Sequence, residues 1–251
     1  MIVLKSPREI ELLREAGRIA RLALDAARAM VRPGITTGEI DVEVERVIRA
    51  HGATPEFKGY HGFPASSCIS VNDQVVHGIP GTRKLNDGDV VGIDVGARIK
   101  GFVGDNAATI AVGRVTVAAQ KLIDTTRECL EQAIAECRPG RRLSDIGRAV
   151  QTLAESRGFS LVREYAGHGI GTRMHEEPSV PNYVDAATLR ADMILKEGLC
   201  IAIEPMLNVG RAEVRTLDDD WTVVTRDGSL SAHWEDSVAI TKDGPLVLTR
   251  A

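Results

Sequence analysis

An internal repeat limits the folds that are open to this chain. A pattern of Pro-Gly, four residues, an acidic residue and Ile occurs at Pro33–Ile40 and again at Pro139–Ile146, which lies 106 residues later. A second pattern, Leu-x-acidic-Gly followed by Ile-acidic, links Leu85–Asp94 to Leu195–Glu204 with a spacing of 110 residues. Because such repeats usually stack and bury a common surface, we expect two halves that share one core.

Each half is predicted to contain two helices followed by a mainly antiparallel sheet. Ser6 and Thr36 each precede a glutamate by three residues, which is the capping-box signature of a helix start. The predicted helices are Ser6–Met30, Thr36–Ala50, Thr116–Glu136 and Ser144–Arg157. We therefore predict one α+β domain over residues 1–251, built from residues 6–110 and 116–245, with four helices covering one sheet face.

Composition excludes some classes of function without choosing one. With 35 acidic and 31 basic residues mixed along the chain, the net charge is −4, and nothing indicates specific nucleic-acid binding. Met1–Leu13 lacks an apolar leader, and no run reaches the roughly 18 apolar residues of a membrane span. The four cysteines form no CxxC pair, so we expect reduced thiols, a cytoplasmic location and no membrane association.

The stretch Val90–Thr109 carries two aspartates on apolar strands. If Arg98–Gly101 forms the turn of a hairpin, Asp94 and Asp105 are direct neighbours across the strands. Like charges on a buried surface need a proton or a cation between them, so a metal is one interpretation. The alternative is a solvent-facing hairpin with hydrated aspartates.

Other ionisable residues on predicted strands favour the metal interpretation. The set contains four carboxylates and one imidazole: Asp94, Asp105, His168, Glu204 and Glu235. Four negative charges match two divalent ions, and a histidine ligand argues against a calcium module. Such a paired site suits hydrolysis of a peptide or ester. His77 and His175 lie in loops next to these strands, where neutral imidazoles could contact a substrate, whereas His61 and His233 could be packing residues or outer contacts of the site.

Two longer motifs resemble the type I methionine aminopeptidases. Tyr165–Tyr183, YAGHGIGTRMHEEPSVPNY, resembles the signature of that family, and Gly59–Pro80 resembles its substrate-pocket segment. The resemblance runs from the first helix almost to Ala251. It implies the pita-bread fold, two divalent ions drawn from Mn, Fe, Co or Zn, and removal of the initiator methionine from nascent proteins when the second residue is small.

The resemblance also assigns roles to residues. It implies that Asp105 and Glu235 bridge two ions, that His168 and Glu204 complete one ion, and that Asp94 completes the other. Glu204 is then a candidate proton acceptor, His175 stabilises the tetrahedral intermediate, and His77 contacts the scissile peptide. The methionine pocket is implied at Tyr60, Phe63, Cys68, Met174 and Trp221, and a Na⁺ or K⁺ site at Asn72, Gln74 and Ser231.

The chain departs from the family pattern in the pocket. Met174 stands where an aromatic residue is common in the family, and Phe57 where a small residue is common. Because methionine is flexible, Met174 could widen the range of substrate side chains that the pocket accepts. Glu176–Ile203 has no room for the helical insertion of the type II enzymes, which indicates the short bacterial form. The expected partners are nascent N-termini, with the ribosome as a further candidate, and the expected state is a monomer. The alternatives are an Xaa-Pro exopeptidase of the same fold and a non-catalytic binding module.

Overall fold

The computed structural model describes residues 2–250. Its helices are α1 (Pro7–Met30), α2 (Thr37–Ala50), α3 (Val117–Ala135), α4 (Leu143–Ser156) and the short α5 (Ala186–Arg190), with a 3₁₀ turn at Tyr60–Gly62. The strands of the first half of the chain are β1 (Thr54–Pro55), β2 (Cys68–Val71), β3 (Gln74–Val76), β4 (Val90–Ile99) and β5 (Phe102–Ala111). The others are β6 (Ser160–Leu161), β7 (Gly167–Gly169), β8 (Glu176–Val180), β9 (Cys200–Ile203), β10 (Met206–Asn208), β11 (Val214–Thr216), β12 (Val223–Thr225), β13 (Ser231–His233), β14 (Glu235–Thr241) and β15 (Gly244–Val247).

Three of the four predicted helix starts are confirmed. Ser6 and Thr36 form complete capping boxes with Glu9 and Glu39, and the Thr116 hydroxyl accepts the Ala119 N–H. These contacts are local, so the sequence pattern was sufficient to predict them.

The predicted start of α4 at a Ser144 cap is wrong. The helix begins at Leu143, and Ser144 lies inside its first turn. The backbone N–H and the hydroxyl of Ser144 both donate to the Asp192 carboxylate, each at 2.9 Å. The N-terminus of α4 is therefore satisfied by a carboxylate from a distant loop, which a local motif does not reveal.

The main sheet is antiparallel and places the helices and the acidic residues on opposite faces. Its strand order is β1-β4-β5-β14-β9-β7-β8, with β2 added beside β4 and β15 beside β14. Odd residues of β4, such as Ile93, pack with α1 and α2, and even residues of β14, such as Val238, pack with α3 and α4. Because side chains alternate along a strand, Asp94 and Glu235 point away from the four long helices. The predicted coverage of one face by these helices is confirmed.

The hairpin register differs from the prediction by two residues. Lys100 and Gly101 alone form the turn, both with positive φ, as a two-residue type I′ turn requires. Asp94 therefore pairs with Ala107, and Asp105 pairs with Gly96. A shift of two residues keeps side chains on the same face, so the aspartates are diagonal rather than direct neighbours.

Helix α1 lies very close to strand β5 behind this hairpin. A Cβ atom added at Gly104 would lie 2.3 Å from the Gly17 nitrogen, and one added at Gly17 would lie 2.5 Å from the Leu248 carbonyl oxygen. Only glycine permits this approach. Within residues 2–250, no helix combines the length and the apolar composition needed to cross a bilayer.

Candidate metal centre and active site

Strand register brings the predicted ligands together on the face opposite the helices. Ala107 pairs with Asp94 on one side and with Glu235 on the other, so these two carboxylates flank one position of β5. Asp105 lies two residues earlier on the same face of β5. His168 pairs with Ala202 of β9, and Glu204 follows this strand. The ligands therefore come from neighbouring strands at the centre of the sheet.

The donor atoms lie close to one another. One atom each from Asp105, His168 and Glu235 lies within 4.8 Å of the others, and the three residues are 2%, 7% and 2% exposed. His168 Nε2 lies 3.6 Å from Asp105 Oδ2 and 3.7 Å from Glu204 Oε1. Asp94 lines the same cavity. All five predicted ligands therefore surround one small volume.

Burial and the charge of neighbouring carboxylates raise the pKa of three of these groups, Asp94, Glu204 and Glu235. Burial, followed by the charge of Asp105, raises the pKa of Asp94 and of Glu235 well above the ordinary value. Burial raises the pKa of Glu204 to about 8, even though His168 acts to lower it. Burial lowers the pKa of His168, but its interactions with Asp105 and Glu204 outweigh this effect and raise the pKa overall. The cluster favours bound positive charge, either protons or cations.

The donor set fits divalent ions. Among the described residues, Asp94 Oδ1, Asp105 Oδ1 and Glu235 Oε1 are buried without a hydrogen-bond partner. His168 Nδ1 lies 2.9 Å from the Gly169 carbonyl oxygen, which can only accept, so the neutral ring presents the Nε2 lone pair to the carboxylates. Oxygen ligands with one nitrogen suit Mn²⁺, Fe²⁺, Co²⁺ or Zn²⁺.

The predicted pocket residues line a cavity of about 170 Å³ beside this centre. The cavity is lined by the five ligands, by His77 and His175, and by Tyr60, Phe63, Cys68, Met174 and Trp221. The Phe63 and Trp221 rings meet edge to face at 5.0 Å. Phe57 also lines the cavity, and a Cβ atom at Gly96 would lie 2.6 Å from its ring. An apolar compartment therefore adjoins the acidic one.

The two loop histidines differ in their contacts. His175 Nδ1 lies 2.7 Å from the Tyr60 hydroxyl, and its ring meets the His168 ring at 4.4 Å. Burial, followed by the charge of His168, lowers the pKa of His175 to about 4. Burial also lowers the pKa of His77, whose ring packs against Tyr165. Both imidazoles are therefore neutral near pH 7.

The side chains of the three residues predicted to bind an alkali ion already form hydrogen bonds within the protein. The Asn72 carbonyl oxygen accepts the Ser231 N–H at 2.9 Å, so these two residues do lie together. Gln74 Oε1 accepts the Val71 N–H, and the Asn72 side chain contacts Val90 and Asp89. The side-chain oxygens are therefore engaged within the protein.

Three site residues received no firm role from the sequence. His233 Nε2 lies 3.8 Å from carboxylate oxygens of both Glu204 and Glu235, and burial lowers its pKa to about 4. Tyr165 and Ala166 line the cavity. The sequence does hint at both roles, because His233 is two residues from Glu235 and Tyr165 is the first residue of the motif Tyr165–Tyr183. A single histidine or tyrosine is, however, too common to indicate a site by itself.

Comparison with known proteins identifies the family. Residues 11–242 match the model of metallopeptidase family M24. The chain belongs to this family. M24 members similar to it include "Methionine aminopeptidase 1" of Bacillus subtilis, 48% identical over 250 residues and 100% of both chains, and "Methionine aminopeptidase" of Clostridium perfringens, 50% identical over 249 residues and 99% of both.

Solved structures support the same assignment. The crystal structure of methionine aminopeptidase from Thermotoga maritima superposes with a TM-score of 0.96 at 40% identity, and 100% of each chain is covered. The prolidase from Pyrococcus furiosus, at 24% identity and a TM-score of 0.80, shares only the fold, and the match covers 66% of that chain. This M24 chain therefore has the pita-bread fold and is a metal-dependent hydrolase, as predicted.

Proposed function

We propose that this protein is a dinuclear metalloaminopeptidase that removes the initiator methionine from nascent proteins when the second residue is small. The observation that carries the proposal is that the five proposed ligands and an apolar compartment line one cavity. The names of full-length relatives point to the same reaction. We further propose that it acts in the cytoplasm on free N-termini, with the ribosome as a candidate partner, as a monomer.

The ligands divide between two ions in this proposal. Asp105 and Glu235 would contribute to both ions, since β5 and β14 lie between β4, which carries Asp94, and the strands that carry or precede His168 and Glu204. His168 and Glu204 would complete one ion, and Asp94 the other. Bound ions supply Lewis-acid polarisation of the carbonyl and lower the pKa of water. A Na⁺ or K⁺ ion near Asn72 and Ser231 would bind mainly through backbone oxygens.

Side chains around the centre move protons and bind the substrate. A Glu204 oxygen accepts the proton that the attacking water loses, since Glu204 lines the cavity beside His168. When Tyr60 donates to His175 Nδ1, the Nε2 atom keeps the proton and can donate it as a hydrogen bond to the developing oxyanion. His77 contacts the scissile peptide from the other side of the cavity.

The apolar compartment explains selection of methionine. Phe63, Trp221 and Met174 surround an unbranched thioether with polarisable groups, and Tyr60 and Cys68 complete the wall. Burial raises the pKa of the Cys68 thiol well above its ordinary value, so this side chain is an apolar neighbour rather than a nucleophile. We also propose that residues 6–110 and 116–245 are two pseudo-repeats of one catalytic domain.

Three peptides test the proposed function. With Mn²⁺ or Co²⁺, we expect cleavage of Met-Ala-Ser, much slower cleavage of Met-Leu-Ser, and no cleavage of Ala-Pro-Ser. Glu204→Ala, as a control, should abolish hydrolysis while circular dichroism shows an intact fold. Cleavage of the proline peptide alone would favour the Xaa-Pro exopeptidase. Absence of both stoichiometric metal and turnover would favour the binding module.

A further inference from the structure

The loop 171–175, which precedes β8, carries two residues of the cavity wall, Met174 and His175. It lies outside the sheet, so its position depends on specific anchors, whereas Glu176 begins β8 and pairs with Gly169 of β7. The Gly171 carbonyl oxygen accepts the Val103 N–H at 3.0 Å, and the Thr172 carbonyl oxygen accepts Arg98 Nη1 at 3.0 Å. Both anchors hold the beginning of the loop, before His175.

At the other end of the loop, the Glu176 side chain forms an ion pair with Lys5, which lies in the N-terminal arm, residues 2–6 before α1. Lys5 Nζ lies 2.6 Å from Glu176 Oε2, and the two side chains are 5% and 8% exposed. The Lys5 backbone N–H donates to the Gly198 carbonyl oxygen at 2.7 Å, and Glu176 Oε1 accepts the Arg173 N–H at 3.2 Å. Glu176 directly follows His175 in sequence, so the Lys5 ammonium group contacts the side chain of the residue next to His175.

Lys5 fits tightly against this loop from outside the cavity. A Cβ atom at Gly171 would lie 2.6 Å from Lys5 Cε and 2.5 Å from Glu176 Oε1. A Cβ atom at Gly198 would lie 2.7 Å from the Lys5 carbonyl oxygen. Lys5 does not line the cavity. A movement of Lys5 is therefore transmitted to the loop through direct contact, although Lys5 touches no substrate.

We propose that Lys5 is a positioning residue for His175. The ion pair fixes the Glu176 carboxylate, which accepts the Arg173 N–H, and thereby the loop that sets the angle at which the His175 ring meets Tyr60 and the developing oxyanion. The inference rests on the role proposed above for His175. Since a misplacement of about 1 Å can cost up to roughly 100-fold in rate, loss of the ion pair should act on kcat rather than on binding of the methionine side chain.

The test uses variants that separate positioning from folding. Lys5→Met leaves the buried Glu176 carboxylate without a charged partner and will destabilise the protein. The double variant with Lys5→Met and Glu176→Gln removes both charges and keeps an acceptor for the Arg173 N–H. Lys84→Met is the matched control, because Lys84 is exposed and forms no ion pair among the described residues. Activity is measured with Met-Ala-Ser well below the unfolding temperature and normalised to folded protein.

We expect the double variant to lose roughly 10- to 100-fold in kcat with KM changed less than about threefold, while Lys84→Met matches the wild type. A kcat within about twofold of the wild type per folded molecule would overturn the proposal. A second readout is NMR of the His175 ring, which should shift in the double variant and not in the control. If the wild type cleaves no methionyl peptide, the proposed function fails by itself, and an unshifted His175 ring would then overturn the positioning role.

Discussion

At the scale of single residues, position on the strands decides what each carboxylate can do. Asp105 and Glu235 lie inside the cluster with His168, whereas Asp94 lies at its edge, on the far side of Ala107 from Glu235. A ligand at the centre can contact two ions, and a ligand at the edge can contact one. The two aspartates of the hairpin should therefore differ in the effect of their loss.

We predict that Asp105→Asn disturbs both ions and that Asp94→Asn mainly disturbs one. By elemental analysis after desalting, the wild type should retain about two Mn²⁺ or Co²⁺ ions, Asp94→Asn about one and Asp105→Asn fewer than one. Asp124→Asn, on the exposed face of α3, serves as the control. Equal loss of metal in the two hairpin variants would contradict the assignment of Asp105 as a bridge.

The sequence was sufficient to select five ionisable residues that line one cavity, but not all of their neighbours. Charged residues on apolar strands are costly unless they bind something, so Asp94 and Asp105 attracted attention without any structure. The exact register was predicted wrongly, because the turn uses two residues rather than four. The Lys5–Glu176 pair joins residues 171 positions apart, and neither residue carries a local signal of the contact.

At the scale of elements, the packing of α1 on β5 determines how precisely the hairpin is placed. Gly17 and Gly104 let the helix and the strand approach until their backbones are in contact. Asp105 directly follows Gly104, on the opposite face of the strand. A displacement of β5 away from α1 would therefore move a bridging ligand.

We predict that Gly104→Ala destabilises the protein by about 3 kcal/mol and weakens metal binding, because the new methyl group overlaps the backbone of α1. Urea denaturation of the metal-free protein measures the first effect, and titration with Mn²⁺ measures the second. Gly81→Ala is the matched control, since a Cβ atom there meets nothing within 4 Å and φ is not positive. Equal stability of the two variants would show that β5 adjusts freely.

Helix ends show which elements a sequence can predict. The starts of α1, α2 and α3 depend on residues three positions apart, and these predictions are confirmed. The start of α4 combines a local contact, in which Asp145 accepts the Arg142 N–H, with one from Asp192, which follows α5 and is 48 residues away from Ser144. A capping contact from a residue that is distant in sequence can be predicted only when the fold is already known.

At the scale of the whole molecule, the buried carboxylates of the proposed metal centre make the stability of the metal-free fold depend on pH. Asp94, Glu204 and Glu235 have raised pKa values in the absence of metal, so the folded protein binds protons that the unfolded chain releases. Groups with a raised folded-state pKa stabilise the fold at low pH and lose this contribution as pH rises. His175 and His233, with pKa values lowered to about 4, act in the opposite sense, but only below about pH 6.5.

We predict that the metal-free protein loses stability between about pH 6.5 and pH 8, by roughly 2 kcal/mol for each proton that the folded protein keeps and the unfolded chain has released. Divalent metal needs the deprotonated ligands and should reverse the loss, so the stabilisation by Mn²⁺ should be larger at pH 8 than at pH 6.5. Thermal unfolding with and without metal at both pH values measures this difference. A metal-induced shift that is independent of pH would contradict the raised pKa values.

The overall architecture was the most predictable level. The repeated Pro-Gly and Leu-x-acidic-Gly patterns indicated two helices and an antiparallel sheet twice over, and the four long helices do cover one face. Because each pattern occurs twice, the sequence indicates a repeated arrangement of helices and strands, which one motif alone could not. The details that escaped prediction, such as the N-terminal arm on Glu176, are contacts that the two halves do not share.

The pairing of β5 with β14 involves only two residue pairs, Glu235 with Ala107 and Asp236 with Asn106. Asp94 and Asp105 precede the connection at residues 112–116, and His168, Glu204 and Glu235 follow it. Neither part of the chain contains the full set of proposed ligands, so bound ions would hold the two parts together. A chain cut at this connection would make catalysis a second-order property, dependent on the concentration of both fragments.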